Sequence, residues 1–188
     1  MEDAPIPTER ASVLATNSYL IAFRILHIVA GVAWGGAVFL FVVFVQPSAA
    51  AIGPAAGPFM QELLGRRKLV NKILWLAAIT IVGGLFLYWH NWQEAGSLGD
   101  WVGTPFGRGL TIGSISAIVA FLIGLLGTKP GVDRLMALSR QAADAGGAAP
   151  PELGQEIQRM QARLRALART NLAFVTVAVL TMATARYW

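Results

Sequence analysis

Cysteine is absent from the 188 residues of this chain, and charged side chains make up only 13% of them. Without thiolates, the chain cannot form disulfides, thiolate zinc sites, cysteine-ligated iron–sulfur clusters or the covalent attachment of c-type haem. No aspartate or glutamate lies inside the long apolar runs, which argues against a carboxylate-lined path for protons or ions. Any metal site must therefore use nitrogen, oxygen or thioether ligands.

Hydrophobic residues account for 55% of the chain, which is too apolar for an ordinary soluble domain. The net charge of +5 comes from basic residues that flank apolar runs, so lipid headgroups explain it better than nucleic acid does. The acidic, proline-containing N-terminus does not resemble a signal peptide. We therefore expect the first apolar run to be retained in a membrane.

Four apolar runs predict four spans, at about residues 19–45, 70–92, 107–128 and 170–187. A polar segment, residues 1–18, precedes them, and prolines or glycines lie in each connection. The predicted fold is an all-α, integral membrane four-helix up-and-down bundle.

Lysine and arginine set the predicted orientation. The first and third connections carry eleven basic residues: Arg66, Arg67, Lys68, Lys72, Lys129, Arg134, Arg140, Arg159, Arg163, Arg165 and Arg169. The other side carries four: Arg10, Arg24, Arg108 and Arg186. The positive-inside rule then places both termini outside an inner (cytoplasmic) membrane. Aromatic residues fall at the predicted outer ends and suggest an interfacial belt: Tyr19, Tyr88, Trp89, Trp92, Trp101, Tyr187 and Trp188.

The third connection, residues 129–169, predicts a cytoplasmic helical hairpin that extends helices 3 and 4. Apolar residues recur there at helical spacing, namely Leu153, Ile157, Met160, Leu164 and Leu167, and continue without a break towards the fourth span. The partner stretch contains Val132, Leu135, Met136 and Leu138, and the tip contains Gly146, Gly147, Pro150 and Pro151. We call the apolar stripe from Leu153 to Leu167 the seam. It either packs within the chain or docks a larger membrane complex or a second copy.

Two histidines, His27 and His90, are the candidate functional residues, because a metal-ligating side chain within a span is costly and usually serves a function. Arg24, Gly31 and Trp34 lie on roughly the same helix face as His27. Gly31 and Gly35 have a small-xxx-small spacing that admits a second helix or a flat ring. His27 lies about 12 Å below Tyr19 at 1.5 Å per residue, and His90 is expected to be shallower.

Neutral imidazole is the usual axial ligand of a b-type haem held between helices. Outer basic residues, Arg24, Arg108 or Arg186, could meet the haem propionates. Copper is the competing cofactor, although only Met182 offers a thioether in an outer half-span. No serine has the surroundings of a catalytic nucleophile. The sequence leaves open whether the protein is an enzyme.

The stretch LHIVAGVAWGGAVFLFVVFVQP resembles the first helix of the CopD-like superfamily of four-helix membrane proteins, and RRKLVNKILWLAAITIVGGLFLYW resembles its second. The superfamily includes copper-resistance proteins, the membrane part of a urate oxidase, and HemJ-like enzymes that bind haem b. The resemblance implies that His27, with Trp34, Gly35 and Gly36, is the functional histidine motif. The leading hypothesis is a haem b-binding membrane protein in electron transfer or redox chemistry near the outer face. Alternatives are a cofactor-free accessory subunit of a membrane complex and copper or small-solute transport.

Overall fold

The computed structural model describes the backbone of residues 7–145 and 150–188, and the side chains of residues 18–145 and 150–188. Every regular element within these ranges is helical, which confirms the all-α fold. The four longest α-helices are α1 (Pro7–Leu40), α4 (Leu69–Ala95), α6 (Pro105–Leu122) and α8 (Pro151–Thr184). With their helical extensions, they form four stretches that are long and apolar enough to cross a membrane. The chain therefore has the make-up of a multi-pass membrane protein.

The long helices form a closed bundle in which each packs on its neighbour in sequence. α1 packs on α4, α4 on α6 and α6 on α8, and α8 returns to α1. Trp34 is 4% exposed and lies at the centre with Val38 of α1 and Ala77 of α4. Small residues of α6 and α8 complete this core, namely Ala117, Ala120, Val175 and Ala178. Many outward side chains are apolar and exposed, as lipid contact requires.

The first connection is largely helical, although it contains three prolines. Five short helical segments follow α1: a π-helical turn (Phe41–Val45), α2 (Gln46–Ile52), a 3-10 turn (Gly53–Ala56), α3 (Gly57–Met60) and a second π-helical turn (Gln61–Arg66). Pro47, Pro54 and Pro58 each stand in the first two positions of a segment, where a missing N–H breaks no helical bond. Gly53 and Lys68, both with positive φ, supply the changes of direction.

A short helix, α5 (Leu98–Gly103), covers one end of the bundle between α4 and α6. The Ser97 hydroxyl caps it by accepting a bond from the Asp100 amide. Trp101 is 6% exposed and makes edge contacts with the rings of Tyr88 and Phe106. Trp101 is therefore a packing residue of this cap, unlike the exposed belt members Trp89, Tyr187 and Trp188.

The other end carries a third π-helical turn (Ile123–Thr128) and α7 (Lys129–Asp144), which packs on the first half of α8. α8 is one unbroken helix, as the seam in the sequence predicted. Three of the seam residues pack within the chain: Leu164 is buried in a cluster with Leu64, Val132 and Leu135, and Ile157 and Met160 pack against that cluster. Arg134 of α7 also bonds Glu156 of α8 at 2.8 Å. Gly146 and Gly147 of the expected tip lie outside the described residues.

Candidate functional site

His27 projects from α1 onto the backbone of α4. Its Nδ1 lies 2.7 Å from the carbonyl oxygen of Thr80, 53 residues away in sequence. A carbonyl oxygen only accepts hydrogen bonds, so Nδ1 must carry the proton and donate it. In the neutral imidazole this leaves the lone pair on Nε2, the nitrogen available to a metal or a hydrogen-bond donor.

Small residues of α4 allow this contact. A Cβ placed on Gly84 would stand 2.7 Å from Cε1 of His27 and 2.9 Å from its Nδ1, so any side chain there would displace the ring. Gly83 lies against the Cβ and backbone of His27, where an added Cβ would stand 3.4 Å from the His27 Cβ. The two glycines of α4 therefore form the seat of the imidazole.

Thr80 links His27 to Gly31. Its side chain is 6% exposed, and its hydroxyl donates to the Leu76 carbonyl at 2.8 Å within α4. A Cβ on Gly31 would come within 3.3 Å of the Thr80 methyl group. The predicted residues Gly31 and His27 thus meet at the same threonine, and the glycine serves close helix packing.

Aromatic rings lie between His27 and the end of α4. Phe23, one turn before His27, stacks on Phe86 with ring centroids 4.2 Å apart. Tyr19 meets the same Phe86 edge-on at 6.0 Å. These rings cover the site on the side that leads to His90.

His90 belongs to a separate place on α4. Its Nε2 lies 3.3 Å from the carboxylate of Glu94, one turn further along the helix. Because the imidazole of His27 lies against Gly84, six residues before His90, the two histidines are separated by about 9 Å along α4. Metal–imidazole bonds are about 2 Å long, so the structure does not bring His27 and His90 together on one metal.

Arg24, Gly31 and Trp34, which were predicted to lie on the same helix face as His27, do not all lie beside it. Arg24 is exposed one turn from His27, on the side of Tyr19. Trp34 lies two turns away in the opposite direction, within the bundle core. His27, Arg24 and Gly31 therefore form one neighbourhood, whereas Trp34 belongs to another. Across the described side chains, no cluster of three or more His, Asp or Glu residues could hold a metal ion.

Sequence reasoning missed Asn171, which is 8% exposed at the start of the fourth apolar stretch. Its side-chain nitrogen donates to the Ala120 carbonyl of α6 at 2.6 Å. Its side-chain oxygen is buried and has no hydrogen-bond partner among the described residues. A polar residue at the edge of an apolar run was the available signal.

Comparisons with protein families, with curated proteins and with solved structures find no match to this chain.

Proposed function

We propose that this chain is a multi-pass membrane protein that would hold haem b through Nε2 of His27 and serve electron transfer near the outer membrane face. The supporting observation is the bond from Nδ1 of His27 to the Thr80 carbonyl, which leaves Nε2 for the metal. Metal-ligating histidines commonly donate their other nitrogen to a backbone carbonyl in this way. When bound, haem b supplies a one-electron redox couple.

The surrounding residues have defined tasks in this proposal. The Thr80 carbonyl fixes the tautomer and the plane of the imidazole, and it raises the basicity of Nε2. Gly84 leaves room for the ring in that orientation. Arg24, which is exposed one turn before His27, would bond a propionate carboxylate. The resemblance of this helix to the CopD-like pattern also favours His27 over His90.

Membrane insertion and direction are part of the proposal. The excess of basic residues in the first and third connections supports an inner-membrane protein with both termini outside. The hairpin of α7 and the first half of α8 then lies in the cytoplasm, while His27 lies in the outer half of the first span, about residues 19–45. The low charge of the four long helical stretches supports their insertion.

The direct test is the absorption spectrum of the protein after expression with ample haem and purification in a mild detergent. The proposal expects a b-type band in the reduced-minus-oxidised difference spectrum, with haem and protein in equal amounts. A protein that is folded, monodisperse and colourless would overturn the haem assignment.

A further inference from the structure

A cavity of about 740 Å³ lies beside α8, on the side of the bundle that carries the hairpin. We call it the α8 cavity; its walls include Trp34, Ala77, Ala120, Phe121, Arg165 and Asn171. The volume is in the range of pockets that enclose a small organic ligand. His27 and His90 do not line it, so it is distinct from the proposed haem site.

All three π-helical turns contribute to the walls of the α8 cavity. Phe41 comes from the first turn, Gln61 and Leu64 from the second, and Gly124 and Thr128 from the third. A π-helical turn costs hydrogen-bond geometry and is found frequently at functional sites. Their convergence on one cavity indicates that the backbone is shaped around this space.

Asn171 gives the cavity wall one buried polar group that lacks a partner. Its side-chain nitrogen is committed to the Ala120 carbonyl, and turning the amide over would place two acceptor oxygens together. The side-chain oxygen is therefore fixed as an acceptor, and it is buried without a donor among the described residues. Leaving a buried acceptor unpaired costs free energy that a ligand donor would recover.

The charged residues in the walls of the α8 cavity limit which ligand group could donate a hydrogen bond to Asn171. Arg165 is the one charged side chain that the described cavity lining contains, and no carboxylate lines it. Arg165 is exposed and lies six residues before Asn171, about 9 Å away along α8. An ammonium donor would find no counter-ion at Asn171, so a neutral hydroxyl is favoured.

We propose that the α8 cavity binds an uncharged, lipid-soluble molecule with a hydroxyl group, of the phenol or hydroquinone class. The side-chain oxygen of Asn171 is covered in this structure, so a small local displacement would let the hydroxyl donate to it, while the apolar body would occupy the space beside Trp34. This inference does not rest on the haem proposal, because a colourless protein can bind the same ligand.

The test uses two probes: 3-bromo-5-pentylphenol, and its methyl ether, in which a methyl group replaces the donor hydrogen. Bromine quenches tryptophan fluorescence at short range, and Trp34 is the one tryptophan among the residues described as lining the cavity. Binding in the α8 cavity is measured as the part of the quenching that disappears when Trp34→Phe is introduced into the full-length protein. We expect the phenol to bind about five- to tenfold more tightly than the ether at pH 7.

Asn171→Leu should make the two probes bind equally. Asn71→Leu is the matched control, because Asn71 lies on α4 outside this cavity, and it should preserve the difference. If Asn171→Leu does not fold, the two-probe comparison in the unmodified protein decides alone. Equal affinity there, absence of Trp34-dependent quenching, or a difference that survives in Asn171→Leu would overturn the proposal.

Discussion

At the scale of single residues, the position of His27 depends on what its neighbours lack. Gly83 and Gly84 have no side chain that would collide with the imidazole, and Thr80 presents a backbone oxygen to Nδ1. The contact joins α1 to α4 through a hydrogen bond in an apolar setting, where an unpaired nitrogen would be costly. One added methyl group should therefore disturb the site.

Gly84→Ala is expected to push the imidazole away from the Thr80 carbonyl, because the new Cβ would stand 2.7 Å from Cε1. Overpacking of this kind costs about 1–3 kcal/mol, so the midpoint of thermal unfolding in detergent should fall. Haem content should fall with it. Gly154→Ala is the matched control, since a Cβ at Gly154 meets nothing within 4 Å. Equal stability and haem content in both variants would contradict this account of the glycine.

Only part of this neighbourhood could be predicted from the sequence. His27 and its glycine-containing helix stand out because a histidine in an apolar run is unusual. The Thr80 carbonyl leaves no mark in the sequence, since every residue has such an oxygen and the choice depends on how α1 and α4 align. The separation of the two histidines along α4 likewise depends on that alignment.

At the scale of helices, α6 and α8 approach closely along a stripe of small residues. A Cβ on Gly109 would come within 2.8 Å of the Ala185 Cβ, and one on Gly113 within 2.6 Å of the Met182 side chain. Gly109 and Gly113 have the same spacing as Gly31 and Gly35, and in both helices it serves helix packing. In lipid, such close packing is a main source of attraction between helices.

Gly109→Ala is expected to force α6 away from the end of α8 and from the 3-10 turn that follows it (Ala185–Tyr187), because the nearest atoms include the Ala185 backbone at 3.0 Å and cannot rotate away. A loss of about 1–3 kcal/mol in the free energy of unfolding follows. Gly154→Ala, in the hairpin half of α8, meets nothing within 4 Å and should be neutral or stabilise by up to about 1 kcal/mol. Thermal unfolding of both variants measures the difference, and equal midpoints would refute the packing role.

The long helices and the hairpin seam were predictable, because their apolar periodicity extends over many turns. The first connection was not, because prolines mark both loops and the first turns of helices. Pro47, Pro54 and Pro58 each lie in the first turn of a helical segment. The sequence alone does not show where each of these segments begins. The α8 cavity lies beyond sequence reasoning for a related reason, since three separate π-helical turns must meet to form it.

At the scale of the whole molecule, the His27 site and the α8 cavity lie towards opposite ends of the bundle. One end holds His27, the aromatic rings and the α5 cap, and the other holds the hairpin, the α8 cavity and most of the basic residues. The proposed topology places the first end outside and the second inside. The absence of native cysteine makes this topology open to a clean labelling test.

Single-cysteine variants should report the two sides separately. Gln93→Cys, exposed near the end of α4, is expected to react in intact cells with a thiol reagent that does not cross membranes. Gln141→Cys, exposed near the end of α7, should react only after the membrane is permeabilised. The unmodified protein is the background control. The reverse pattern would contradict the proposed orientation and place His27 in the inner half.

The most direct test of the claim that His27 holds haem b is to compare the haem content of His27→Ala with that of His90→Ala. Both variants are purified in parallel with the unmodified protein. The account predicts that His27→Ala loses the b-type band while it keeps its helical circular dichroism. His90→Ala should retain the band, because His90 lies about 9 Å beyond the His27 ring along α4 and pairs with Glu94. A b-type band of full intensity in folded His27→Ala would contradict the account.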